Sequence, residues 1–100
     1  MSQPSTAVIT ISHPLGLHLR KSRDVVQVAS RYDANITARN LTLESQTVDA
    51  KSILQLMQLQ ARQGHTLRLC ATGLDAQDAL DALKRLFDAR YYDIPGAAPL

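Results

Sequence analysis

Three stretches of the chain carry apolar residues at every second position. They are residues 6–11 (TAVITI), 34–40 (ANITARN) and 66–71 (TLRLCA). A period of two residues is typical of β-strands that bury one face and expose the other. A shorter apolar run around Val48 predicts a fourth strand, which its length favours as an edge strand. The apolar positions of the three longer strands are Ala7, Ile9, Ile11, Ala34, Ile36, Ala38, Leu67, Leu69 and Ala71.

Three other stretches carry apolar residues at the three- and four-residue spacing of a helix face. The first begins close to His18, and the second follows Ser52, which together with Asp49 is a candidate N-cap. We expect Gly64 to end this second helix as a left-handed C-cap. The third helix begins at Asp75. The apolar positions that define the helices are Val25, Val28, Ala29, Tyr32, Ile53, Leu56, Met57, Leu59, Ala76, Ala79, Leu80, Leu83, Leu86 and Phe87.

The predicted elements follow one another in the order βαββαβα. Antiparallel strands with one wetted face account for the alternation, and three helices with one apolar stripe each would cover the other face. The expected fold is therefore an α+β open-faced sandwich, with a four-stranded antiparallel sheet and three helices on one face. We assign it to residues 1–88. Residues 89–100 contain two prolines and a glycine without a period, and they are expected to form a flexible C-terminal tail.

Composition narrows the class of protein. The 100 residues suit one domain, and a net charge of +2 is too small to favour binding along a nucleic-acid backbone. None of the four aromatic residues falls on a predicted strand, which argues against a sheet that stacks RNA bases. The chain has a single cysteine, no signal peptide and no apolar run near the ~20 residues of a membrane span. These features predict a cytoplasmic protein without membrane insertion.

His18 is the candidate for chemistry. It lies at the predicted start of the first helix, where backbone N–H groups without helical partners attract anions, and Arg20 and Lys21 would add side-chain donors. Imidazole, with an ordinary pKa of about 6.5, is a usable nucleophile at neutral pH, so such a histidine can accept a phosphoryl group on a ring nitrogen. A plain capping or surface histidine is the alternative that the residues alone leave open. His13 and His65 are expected to be ordinary polar residues of turns.

No other constellation of reactive residues can be named from the sequence. The spacing of the histidines and the cysteine does not match a metal site. A nucleophile, base and acid cannot be assigned together, and no phosphate-binding loop motif is present. The sequence therefore predicts neither a metal nor a cofactor, and no enzyme active site.

Two separated motifs match one known family. GLHLRKSRDVV (residues 16–26) resembles the active-site signature of the HPr family, in which Gly-Leu-His-x-Arg-Pro opens the first helix. These proteins are the histidine phosphocarriers of the bacterial phosphoenolpyruvate-dependent phosphotransferase system (PTS), which serves sugar transport. TVDAKSILQLMQLQARQGHTLRLCATGLDAQDALDAL (residues 47–83) is similar to the later part of the family, from a regulatory-serine helix to an acidic-capped last helix. The resemblance spans roughly residues 7–87 and implies an HPr-like sandwich that carries a phosphoryl group rather than an enzyme.

The resemblance assigns roles to the residues around the histidine. His18 aligns with the phosphorylated histidine, which takes a phosphoryl group on Nδ1 from phosphorylated enzyme I and passes it to a sugar-specific or regulatory acceptor protein. Arg20 aligns with the arginine that compensates the phosphate charge. Gly16 and Leu17 align with the residues of the tight loop that leads into the helix. Lys21 stands where the family has proline, and we expect its N–H and its charged side chain to lie beside the phosphate.

The resemblance also implies a regulatory site and a docking surface. Ser52 aligns with the serine that HPr kinase/phosphorylase modifies in many bacteria, although a serine before a helix is also an ordinary cap. The residues that the resemblance places at the partner-docking surface are Leu19, Arg23, Ile53, Leu54 and Met57. Arg23 replaces a small residue of the family, and a long cation there favours partners that offer a carboxylate.

The residues leave two hypotheses for the function. The first is a monomeric carrier in a PTS relay, with enzyme I and an acceptor protein as its partners. The second is a regulatory binding module of the same fold, with a divergent partner surface at Lys21 and Arg23 and no routine phosphoryl transfer. His18 together with Arg20 favours the first hypothesis.

Overall fold

The secondary structure follows the predicted order βαββαβα. The computed structural model describes residues 4–88. Its strands are β1 (Ser5–Thr10), β2 (Asn35–Asn40), β3 (Val48–Asp49) and β4 (Thr66–Thr72), and its helices are α1 (Leu19–Ala29), α2 (Ile53–Gln58) and α3 (Ala76–Asp88). The tail predicted for residues 89–100 lies outside the described residues.

The four strands form one antiparallel sheet in the spatial order β1-β4-β2-β3. β4 is central, and its Leu69 is paired with Ala7 on β1 and with Ala38 on β2. Because side chains alternate along a strand, this register places the predicted apolar positions on the same face of the sheet. β3 has two residues and lies at an edge, as predicted.

The core lies between that face of the sheet and the three helices. All nine predicted apolar strand positions contribute to it: eight are buried, and Ala7 is partly buried and packs against the others. On the opposite face, Val8 and Arg68 stand directly across from each other and are exposed. The structure is therefore an open-faced sandwich, and the predicted α+β fold is confirmed.

The helices bury the stripes that their spacing predicts, except at Met57 of α2, which is exposed. Val25 and Ala29 of α1 are buried, and so are five residues of α3 that include Leu80 and Leu83. α2 is shorter, and Ser52 is its N-cap, with Oγ accepting a hydrogen bond from Gln55 N at 3.2 Å. Of the two candidate caps, the structure selects this serine.

The end of α2 differs from the prediction. Leu59 is the C-cap, and Gln60 takes the positive φ of 49° that follows it. Gly64, with a φ of 88°, lies beyond this point in the turn that leads into β4. The predicted glycine cap is wrong because both Leu59 and Ala61 are buried, and the chain must leave the helix early to bury them.

His65 has a structural role rather than that of a solvated turn residue. Its Nδ1 accepts hydrogen bonds from Arg62 N at 3.1 Å and from Asn40 Nδ2 at 3.0 Å. Asn40 is fully buried, and the same amide nitrogen also donates to Leu59 O at 3.1 Å. A buried amide is costly unless it is hydrogen-bonded, so this network corrects the expectation for His65.

Candidate functional site

His18 begins α1 as its N-cap. Its backbone is extended (φ −79°, ψ 175°), and its Nδ1 accepts a hydrogen bond from the N–H of Lys21 at 3.4 Å. The carbonyl of His18 accepts the first helical hydrogen bond, from Ser22 N at 2.9 Å. Since Nδ1 is an acceptor, the neutral ring carries its proton on Nε2. The unprotonated nitrogen therefore lies at the positive end of the helix dipole.

The first turn of α1 offers further donors to an anion. Helical hydrogen bonds begin with the N–H of Ser22, so the N–H groups of Leu19 and Arg20 have no acceptor within the helix. Both residues are exposed. A negatively charged group attached to His18 would meet these N–H groups together with that of Lys21.

A tight loop leads into α1. Gly16 has a φ of 68° and donates its N–H to His13 O at 2.9 Å, while Leu17 donates to Ala61 O at 2.9 Å. A Cβ at Gly16 would collide with the carbonyl oxygen of Ala61 and lie 2.8 Å from Arg62 Cα. Leu17 is buried in the core. The glycine allows the loop to pass directly against the segment after α2, and the leucine anchors it there.

The backbone and the side chain of Lys21 serve different parts of the molecule. The N–H faces Nδ1 of His18, but the side chain is only 5% exposed and runs to the end of α3. There Nζ donates to Leu86 O at 3.0 Å and lies 6.0 Å from the centroid of the Phe87 ring. Our expectation that the charged side chain lies beside the phosphate is wrong, because the carbonyls at a helix C-terminus attract the cation and the aliphatic stem is buried on the way.

The exposed side of α1 carries two arginines. Arg20 and Arg23 are three residues apart and are therefore neighbours on the helix surface, and both are exposed. Arg20 belongs to the first turn, where the N–H donors are. Leu19 is 63% exposed and lies one turn before Arg23. This side of the helix thus combines positive charge with an exposed apolar residue.

α2 lies beside α1 and continues the apolar surface. Ser22 Oγ is 3.3 Å from Met57 Sδ, and Leu19 is three residues before Ser22 on the same helix face. Leu54 is three residues before Met57 and is 78% exposed. We call Leu19, Met57 and Leu54 the apolar strip. Ile53, the first residue of α2, is partly buried.

His13 lies beside His18 as a second histidine, although its sequence context predicts only an ordinary polar residue of a turn. Its ring centroid lies 4.9 Å from that of His18, with the ring planes inclined at 56°. Its Nδ1 accepts a hydrogen bond from Leu15 N at 2.9 Å. The hydrogen bond from Gly16 N to His13 O closes a turn that brings the ring back to His18. The Pro-Leu-Gly that follows His13 is the turn signal that indicates this reversal.

Other kinds of site find no support in the described part of the chain. Residues 4–88 contain no group of three or more His, Cys, Asp or Glu side chains that could hold a metal ion. Two histidines alone fall short of the three or four protein ligands of a zinc site. None of the helices in this range is long and apolar enough to cross a membrane.

Comparison with known proteins relates this site to one family. Residues 5–89 match the family model described as the PTS HPr component phosphorylation site. The chain is 37% identical over 83 residues to the phosphocarrier protein HPr of Xylella fastidiosa (strain Temecula1). This match covers 83% of this chain and 90% of that protein. It is 42% identical over 74 residues to the multiphosphoryl transfer protein of Haemophilus influenzae, covering 74% of this chain but spanning only 15% of that protein's length.

A solved structure shares the fold over nearly all of the chain. The crystal structure of HPr-C-His from Thermoanaerobacter tengcongensis superposes with a TM-score of 0.82 and 31% sequence identity, over 90% of this chain and 98% of the other. Sequence and fold therefore relate the chain to the same group of proteins.

Proposed function

The chain belongs to the HPr family of PTS phosphocarriers, and on this premise we propose that it accepts a phosphoryl group on Nδ1 of His18. Proteins of this family carry phosphoryl groups in the PTS and are not themselves enzymes. The proposed donor is phosphorylated enzyme I. The proposed recipient is a sugar-specific or regulatory acceptor protein.

The observation that carries the proposal is the position of Nδ1 at the start of α1. In the proposed step, the lone pair of Nδ1 forms a bond to phosphorus while the bond between phosphorus and the donor protein breaks, and Nε2 keeps its proton. Such a transfer depends mainly on positioning and on compensation of charge. The N–H of Lys21, which faces Nδ1 at 3.4 Å, supports this step as a donor to a phosphoryl oxygen.

Release of the phosphoryl group requires that the site hold it only moderately. The donors that we assign are backbone N–H groups of the first turn and the guanidinium of Arg20, and Arg20 is exposed to solvent. Solvent weakens the pairing of an exposed cation with an anion. The buried cation of Lys21 is directed to Leu86 O instead, so it does not strengthen the site from its side chain.

The apolar strip and the two arginines support a single docking surface beside His18. The donor and the acceptor must each reach the same ring, so we propose that they use this surface in turn. An apolar centre flanked by Arg20 and Arg23 fits partners whose own surface combines apolar residues with carboxylates. A monomer leaves this surface open, and we propose that these encounters take place in the cytoplasm.

Ser52 is proposed as a second, regulatory phosphorylation site. It is partly exposed at the start of α2, and its Oγ already accepts a hydrogen bond from Gln55 N. A phosphate at an N-cap would keep an acceptor at the helix end while adding negative charge next to the apolar strip. Modification by HPr kinase/phosphorylase would then weaken docking of partners that present carboxylates.

Phosphoryl transfer from radiolabelled phosphoenolpyruvate through enzyme I tests the proposal. We expect the wild type to acquire an acid-labile, base-stable label that His18→Ala lacks and that Ser52→Ala retains. The serine variant is the matched control, because it removes a hydroxyl acceptor near the same surface. Absence of label on the wild type in the presence of active enzyme I would contradict the relay.

The second candidate function is a regulatory binding module without routine transfer. It rests on Arg23, since the side chain of Lys21 lies away from the site. A module of this kind would bind a partner with equal affinity in the wild type and in His18→Ala, and neither would accept the label.

A further inference from the structure

We propose that His13 is a second ligand of the phosphoryl group on His18, to which its neutral ring donates a hydrogen bond from Nε2. The proposal rests on the proposed function, because it needs a phosphoryl group on His18. It adds a residue from the loop before α1 to donors that otherwise come from the first turn of the helix.

The two rings are in contact. A centroid distance of 4.9 Å and an inclination of 56° correspond to a tilted ring pair at close range. His13 is partly buried, and its carbonyl is tied to Gly16 N at 2.9 Å, so the turn holds the ring at this position. A group attached to one ring, with three oxygens, therefore comes within reach of the other.

The hydrogen bond from Leu15 N determines which nitrogen of His13 can donate. Because Nδ1 accepts this bond at 2.9 Å, it carries no proton, and the proton of the neutral ring is on Nε2. Rotation of the ring to present Nδ1 would break the bond. The ring therefore offers one N–H, held on the side away from Leu15.

The other two side-chain donors expected at the site are directed elsewhere or exposed to solvent. The Nζ of Lys21, the other side-chain donor expected beside the phosphate, is bound to Leu86 O. Arg20 is exposed to solvent. His13 is partly buried and its ring contacts that of His18. A donor that the loop fixes in place loses little freedom when it binds an oxygen.

Two substitutions separate the two nitrogens of His13. The amide of His13→Asn lies near the former Nδ1, so it keeps an acceptor for Leu15 N, as in an Asx-turn, but loses the distal donor. The longer amide of His13→Gln lies near the former Nε2, so it keeps the distal donor and loses the acceptor. A role in loop structure therefore predicts the longer lifetime of the phosphoryl group for His13→Asn. A role in phosphoryl binding predicts the longer lifetime for His13→Gln.

The measurement is the lifetime of the phosphoryl group on each protein after phosphorylation by enzyme I and removal of the enzyme. We expect His13→Asn to lose the phosphoryl group about tenfold faster than the wild type, as for one lost hydrogen bond to a charged acceptor. We expect His13→Gln to keep the phosphoryl group longer than His13→Asn does. Thermal unfolding of both variants identifies any loss that is due to misfolding.

Several outcomes would overturn the inference. The inference fails if the phosphoryl group on His13→Asn has the wild-type lifetime, or if its lifetime on His13→Gln is no longer than on His13→Asn. It also fails if ring ¹⁵N chemical shifts of the unphosphorylated protein at pH 8 place the His13 proton on Nδ1. In each of these cases the wild type still accepts the label and the proposed function stands, whereas a wild type that accepts no label overturns both.

Discussion

The substitution Gly16→Ala tests whether the loop before α1 depends on a close backbone contact. An added methyl group would meet Ala61 O and Arg62 Cα, and both are backbone atoms that cannot move away by a change of rotamer. Alanine also pays about 1–2 kcal/mol for the left-handed φ. Forcing extra volume against packed atoms adds about 1–3 kcal/mol. We therefore expect a loss of about 2–5 kcal/mol in the free energy of unfolding, the sum of these two costs.

Gly64→Ala is the matched control for this experiment. Gly64 also has a positive φ, of 88°, but a Cβ there would meet nothing within 4 Å. Gly64→Ala therefore has only the conformational cost of the positive φ, and any gain from a stiffer unfolded chain is the same in both variants. The difference between the two is then the steric cost, about 1–3 kcal/mol, or a melting temperature at least about 4 °C lower for Gly16→Ala.

Urea and thermal denaturation, followed by circular dichroism, measure both variants. Equal losses of stability in Gly16→Ala and Gly64→Ala would refute the steric argument, and they would show that the loop relaxes away from Ala61 at no cost.

Three further predictions concern the phosphoryl site. Lys21→Met should leave the rate of phosphoryl acceptance unchanged while Arg20→Met lowers it, because the lysine side chain leaves the first turn for Leu86 O. An equal loss in both would place the lysine side chain at the phosphate. Lys21→Pro also removes the N–H that faces Nδ1 of His18, so donation to the acceptor protein should be about tenfold faster than in Lys21→Met, and equal rates would exclude the N–H as a phosphoryl donor. Arg23→Glu should slow acceptance from enzyme I about tenfold at low salt and less at high salt, because it reverses the charge beside the apolar strip. A loss that does not change with salt would show that Arg23 acts on something other than the encounter.

The faces of the strands and helices could be predicted because burial in regular structure follows the local period. Ile36 and Leu67 belong to strands that are distant in the sequence, yet each is flanked by polar residues that mark its inward direction. The N-cap role of Ser52 is equally local, since it depends on a hydrogen bond to an N–H three residues along the chain. Period and caps therefore determined the element order and the start of α1 at His18.

The direction of the Lys21 side chain could not be predicted in the same way. Its partner, Leu86 O, is 65 residues away in the sequence, and the bond exists because the end of α3 packs beside the start of α1. The contact between His13 and His18 also depends on a specific turn rather than on a period. The start of α1 at His18 was thus predictable, whereas the side chains that lie beside it required the tertiary structure.

The most direct test of the central claim is a measurement of which atom carries the phosphoryl group. The protein is labelled with ¹⁵N in its histidine rings, phosphorylated by phosphoenolpyruvate and enzyme I, and examined for one-bond coupling between ³¹P and ring nitrogen. We predict a single phosphohistidine, on Nδ1 of His18. Phosphorus bound to Nε2, to His13, or to no histidine at all would contradict the account.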